Sequence, residues 1–324
     1  MLASVPPFRP RPPWLGADLQ TLRNRLRPPR VHQPPSAVTR LVLPLADGSG
    51  DRLSALLERP ADDRGAPLLI LVHGLTGCED SAYLIVSAGA ALARGHPVLR
   101  LNLRGAGRSR LLCRGHYHAG RSEDLRDALA ALSPALLANG VLLVGYSLGG
   151  NMLLKFLAEY GAQFPIRAAA AVSTPIDLTA AAHRIATRRN HFYHRYLLRQ
   201  IKAESLLPIA ELTADERHAI HSARTLIEFD ERFVAPRNGF AGALDYYRRS
   251  SAERFLPDIR TSTVIIYALD DPWIPRHAYE RVRWGELPQV QLAITKRGGH
   301  VGFHNRGDRL PWHDRVIEAF FRVV

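Results

Sequence analysis

Three side chains that together can make an activated nucleophile occur in the order Ser, Asp, His, each in a loop after an apolar run. The serine is Ser147, in Gly145-Tyr-Ser-Leu-Gly149, preceded by Val141-Leu-Leu-Val144 and followed by Leu153, Phe156, Leu157 and Tyr160 at helical spacing. That is the strand–sharp turn–helix context in which a serine is lifted on a strained turn above a parallel sheet. Glycine two positions to either side lets strand and helix approach more closely than a Cβ permits. A serine hydroxyl is a weak nucleophile until an adjacent base takes its proton, and that base needs a third group to hold its tautomer.

An apolar run at 263–269 leads into Asp270-Asp271-Pro272-Trp-Ile-Pro275, placing a carboxylate at a strand's carboxyl end. The Asp-x-x-x-Pro spacing selects Asp271 as the acid. Asp270 remains the alternative, and otherwise caps or braces the turn. After the last strand comes Lys296-Arg-Gly-Gly-His-Val-Gly-Phe303. Among 14 histidines, His300 alone has this position and its flanking glycines, which makes it the base; His304 is the fallback. Charge developing on a substrate carbonyl oxygen needs donors. The backbone N–H of Leu148 supplies one, and that of Leu75, in His73-Gly-Leu-Thr-Gly77, the other. His73 itself reads as a structural hydrogen-bonding residue. The pairs His116/His118, His191/His194 and His218/His221 lack a third ligand, and His-Glu-x-x-His is absent, so no metal or other cofactor is expected. Arg104-Gly-Ala-Gly-Arg-Ser109 matches neither phosphate-binding loop pattern.

These loops must be positioned by a regular scaffold. Strand patterns at 38–45 and 53–58 flank Asp47-Gly-Ser-Gly50 as a hairpin. Strands at 68–72, 97–103, 141–146 and 168–172 then alternate with helices near 80–95, 122–138 and after Ser147. This predicts an α/β fold with a mostly parallel central sheet covered by helices on both faces. The alternation lapses between about 176 and 259, a helix-rich stretch expected to form a lid over Ser147, with Leu197, Leu198, Leu206 and Leu207 as apolar lining. It resumes with the strand at 263–269, a helix near 277–284, a strand at 290–294 and a helix from 312 to 324. The body thus covers 37–324.

Residues 1–36 form a proline- and arginine-rich arm. Leu19, Leu22 and Leu26 fall at helical spacing beside Arg23, Arg25 and Arg27. The arm either lies on an anionic membrane surface or docks its leucines on the body; its shortness favours docking, leaving weak membrane association.

With 324 residues, 46% hydrophobic, the chain suits one large domain with an insertion. Two cysteines form no disulfide framework and point to a reducing compartment. No signal-peptide pattern or membrane-spanning run is present, so a cytoplasmic location is expected. The net charge of +13 comes mainly from scattered arginines, without a nucleic-acid-binding motif, and argues for no specific nucleic-acid partner.

In these motifs the chain resembles the α/β-hydrolase superfamily and, within it, the YheT-like family. The similarity extends to Gln20-Thr21, Asn102-Leu-Arg-Gly-Ala-Gly107, Tyr117-His-Ala-Gly120, Ile227-Glu-Phe-Asp230, Gly239-Phe240 and Tyr246-Tyr247. The resemblance implies Ser147 as nucleophile, Asp271 as acid and His300 as base. It also implies activity among carboxylesterases, phospholipases and medium-chain acyl-ester synthases or esterases. The expected function is a serine hydrolase of carboxylic esters, of small-molecule or lipid type, with short to medium acyl chains. Acyl transfer to an alcohol and a non-catalytic binding role on the same scaffold are the alternatives.

Overall fold

The computed structural model describes residues 5–29, 34–62 and 64–323; residues 1–4 and 30–33 of the arm, Asp63 and the final Val324 lie outside them. Eight strands form one sheet: β1 (Ser36–Pro44), β2 (Arg52–Pro60), β3 (Leu68–Val72), β4 (Val98–Leu101), β5 (Val141–Tyr146), β6 (Ile166–Val172), β7 (Thr263–Ala268) and β8 (Val290–Thr295). Their spatial order is β1-β2-β4-β3-β5-β6-β7-β8. The β1–β2 hairpin adds antiparallel to β4, and β3 to β8 run parallel.

Both faces of the parallel strands are covered, which is why these strands read as unbroken apolar runs. Along β3, Leu68, Ile70 and Val72 enter one hydrophobic cluster while Leu69 and Leu71 enter the other; β5 and β7 alternate in the same way. A third cluster belongs largely to the helical segment between β6 and β7, where Leu197, Leu198, Ile220, Phe229, Phe233, Tyr246 and Tyr247 pack together.

Several elements differ from the sequence expectation. The helix expected over 122–138 stops at Ala130, and only a turn at Pro134–Leu137 follows, because Pro134 removes a helical N–H donor. Ser122 is the first helical residue, and its hydroxyl donates to Glu159 Oε2 at 2.5 Å. One turn, His277–Glu280, replaces the helix expected to 284. In line with its mismatch to both phosphate-binding patterns, Arg104 is buried and donates to Asp124 and Asp51, with Asp47 also ion-paired to it.

The interior also holds titratable groups whose burial sets the pH response. Burial pushes His73 down to about 4 and His116, His304 and His313 to about 3, and holds His118 well below its ordinary value. It pushes Glu204, Asp230 and Asp314 up to about 7. At pH 5 the unfolded chain gains protons at the five histidines and loses them at the three carboxyls, a net uptake of about two. Stability therefore falls as pH drops from about 6.5 to 5. The melting temperature should decrease over that interval; a rise would contradict this balance.

Candidate active site

The loops after β3, β5, β7 and β8 share the carboxyl edge of the parallel sheet, where such sheets place their ligands. β5 ends at Tyr146, and the helix Leu148–Tyr160 begins immediately. Ser147 between them has φ +51°, a left-handed conformation that a serine adopts only when its surroundings impose it. Its N–H donates to Val172 O at 2.8 Å, tying the turn to β6. The turn is tight enough that a Cβ on Gly145 would lie 2.6 Å from Gly149 O.

His300 and Asp271 converge on this turn. His300 Nε2 lies 2.8 Å from Ser147 Oγ, and His300 Nδ1 lies 2.8 Å from Asp271 Oδ2. The other carboxylate oxygen, Oδ1, accepts the N–H groups of Trp273 at 2.8 Å and Ile274 at 3.1 Å. Both carboxylate oxygens are thus committed. Asp270 faces elsewhere, accepting the Gly299 N–H at 2.9 Å and so bracing the histidine loop. Trp273 lies against the His300 ring, with centroids 4.2 Å apart.

Leu75 and Leu148 both line the cavity beside Ser147. Among the described residues neither backbone N–H has a partner, although their neighbours do. Gly74 N–H donates to Tyr83 Oη at 3.0 Å and Thr76 N–H to Tyr117 Oη at 2.8 Å. His73 is fully buried: its Nε2 accepts the Leu103 N–H at 3.0 Å, leaving Nδ1–H to donate to Gly74 O at 2.8 Å. It anchors the β3 loop.

A cavity of about 100 Å³ opens at Ser147 and His300, small beside the ~300–1,000 Å³ of pockets for drug-sized ligands. Its apolar wall comes from the segment between β6 and β7, including Leu178, Ile185, Leu197, Ile201, Leu226 and Val234. Of the four leucines expected to line it, only Leu197 does. Leu198 and Leu206 pack within the helical cluster, and Leu207 is exposed.

The arm reaches the site by an unexpected face. Its helix, Ala17–Leu26, leaves Leu19 and Leu26 42% and 62% exposed, while Gln20 is fully buried. Thr21 Oγ1 accepts the His300 N–H at 2.9 Å, and Gln20 Oε1 accepts the His304 N–H at 2.7 Å. A Cβ on Gly302 would lie 2.6 Å from Gln20 O, so helix and loop are in close contact. In this loop Val301 and Phe303 have φ of +54° and +49°, rarely adopted by such side chains. The fallback base His304 does not reach Ser147; its buried Nε2 has no partner among the described residues.

A family model described as the alpha/beta hydrolase fold matches residues 67–306. The chain belongs to the α/β-hydrolase family. This hydrolase is 35% identical over 299 residues to the YheT protein of Escherichia coli (strain K12), which carries a provisional esterase name; the match covers 91% of this chain and 86% of that protein. It is 26% identical to phospholipase ABHD3 of Mus musculus over 92% of this chain and 75% of the mouse protein. A solved Pyrococcus furiosus esterase, Pf2001, superposes with a TM-score of 0.58 at 18% identity, covering 91% of this hydrolase and 98% of the archaeal chain, a likeness of fold.

Sequence reasoning missed what Thr21, Gln20 and Trp273 touch in this hydrolase. Gln20-Thr21 stood out as a motif without a contact, and Trp273 sits two residues beyond Asp271, where its ring meets His300.

Proposed function

We propose that this hydrolase cleaves carboxylic esters through an acyl-enzyme on Ser147. The supporting observation is the continuous hydrogen-bonded series Asp271–His300–Ser147 beside two unpartnered backbone amides. Ser147 Oγ attacks the ester carbonyl carbon as His300 Nε2 takes its proton, while Asp271 accepts from Nδ1–H and holds the ring. The carbonyl oxygen, now negative, accepts from the Leu148 and Leu75 N–H groups. Collapse expels the alcohol, which takes the proton from His300. Water then attacks the acyl-enzyme by the same sequence in reverse, releasing the acid and restoring Ser147. The names of the YheT and ABHD3 relatives support ester and lipid-type substrates.

The segment 176–259 acts in this reading as a lid whose apolar side chains surround the acyl group. The small cavity favours short acyl chains. Across p-nitrophenyl acetate to decanoate, kcat/KM should peak at the short end and fall with length. Absence of turnover across the whole series would overturn the ester-cleaving reading, and a flat profile would remove the acyl group from this cavity.

Thr21 is the positioning residue for His300. The isosteric change Thr21→Val leaves the buried His300 N–H without an acceptor, an imbalance of about 1–3 kcal/mol. It should lower kcat ~10- to 100-fold with KM little changed, whereas Thr21→Ser should retain most activity. Equal effects of the two on KM and kcat would indicate a merely structural role.

A further inference from the structure

We propose that the part of the substrate buried in the cavity carries a hydroxyl group, received by Asp230, Tyr246 and His118. This rests on the ester-cleaving reading above and specifies its substrate class. The cavity that opens at Ser147 is apolar along most of its wall, yet Asp230, Tyr246, Tyr247 and His118 line it too. Polar groups in an apolar enclosure are costly unless their hydrogen-bonding capacity is used.

Three of these groups have capacity to spare. Asp230 accepts the Tyr247 O–H at 2.6 Å through Oδ2, and no cation pairs with it among the described residues. Tyr246 Oη accepts the Ala119 N–H at 2.9 Å, and its own proton has no acceptor among the described residues. His118 Nδ1 accepts the Gly120 N–H at 3.2 Å, which places the ring proton on Nε2, again without an acceptor among the described residues. These groups are neighbours: the His118 and Tyr246 rings meet edge to face at 5.6 Å, and Tyr246 and Tyr247 lie 5.1 Å apart. Burial keeps His118 neutral and Tyr246 protonated, so both remain donors.

The cluster therefore offers one carboxyl acceptor and two neutral donors, and a hydroxyl answers both kinds because it donates and accepts. An ammonium group would satisfy Asp230 but meet two N–H and O–H donors with nothing to give them. A carboxylate would be repelled by Asp230 wherever that carboxyl is ionised, above about pH 7. Asp230 also opens a π-helical stretch, Asp230–Val234, a distortion that recurs where a helix is shaped around a function.

The test compares matched esters. On the acyl side these are p-nitrophenyl hexanoate and its 6-hydroxy and 6-amino counterparts; on the alcohol side, butyl and 4-hydroxybutyl hexanoate. Each is assayed with wild type, Asp230→Leu and Tyr246→Phe. In wild type one hydroxyl-bearing ester should exceed its plain counterpart by about tenfold or more in kcat/KM. Asp230→Leu should bring that ratio to unity or below, and Tyr246→Phe should reduce it. Using the ratio within each variant keeps the result independent of any general loss of stability. The proposal is overturned if neither hydroxyl ester outperforms its plain partner, if the ratio is the same in wild type and Asp230→Leu, or if the amino ester gains as much. Cleavage of none of these esters by wild type would instead overturn the ester-cleaving reading beneath it.

Discussion

Replacing Ser147 with alanine is expected to lower kcat on p-nitrophenyl esters by ~10⁴- to 10⁶-fold while leaving the fold intact. No other group can take over: the His300 Nε2 that faces Oγ at 2.8 Å would then face a methyl group, and an acyl-enzyme could not form. Whatever rate remains would come from substrate binding and the Leu75 and Leu148 amides acting on an unassisted water. Alanine suits the elbow backbone at φ +51° about as well as serine, so the melting temperature should change little. An alanine variant as active as wild type would place the chemistry elsewhere.

The second large effect separates two adjacent carboxylates. Asp271→Asn should cost on the order of 10⁴-fold in kcat, and Asp270→Asn about tenfold or less. The asymmetry comes from the partners of Asp271. Its Oδ1 accepts the Trp273 and Ile274 amides, so an asparagine would keep its oxygen there and turn its NH₂ toward His300 Nδ1. That donor forces Nδ1 to become the acceptor and moves the ring proton to Nε2. The base then holds a proton at the atom where it must accept one from Ser147. At Asp270 an asparagine oxygen can still receive the Gly299 N–H. Equal losses in the two variants, compared at matched melting temperature, would refute the assignment.

Much of this site was legible in sequence because it depends on local patterns: a buried strand, a constrained turn and a helix for Ser147, and strand ends for Asp271 and His300. The same holds for the sheet, whose strands bury both faces and so appear as apolar runs. The arm misled for a physical reason. Leucines at helical spacing suggest a docking face, but Gln20 and Thr21 make the contact by meeting the unpaired amides of a strained loop, and a polar contact of that kind leaves no periodic hydrophobic signal. The cavity was equally opaque. Leu207 and Leu197 are alike as residues, and only the packing of helices from 178 to 250 decides that one is exposed while the other lines the cavity. Asp230 lay in a motif with no visible reason until the fold placed it in the same cavity as Ser147.

The hydrogen bond from His300 to Thr21 spans 279 positions of sequence. During synthesis the arm precedes everything it packs on; Asp18 and Arg25 can meet Arg189, Tyr193 and Tyr196, but Thr21 has no His300 amide to accept until the loop after β8 appears. The sheet, the elbow and the acid loop can all be in place before the proton acceptor is fixed. Closing so long a loop has a chain-entropy cost that must be met before the contact rewards it. Under the proposed mechanism, forming the sheet and fixing the base are therefore separate events in this chain. A protease that trims the arm of a finished molecule would remove the acceptor that positions His300, and activity should fall at least as far as in Thr21→Val.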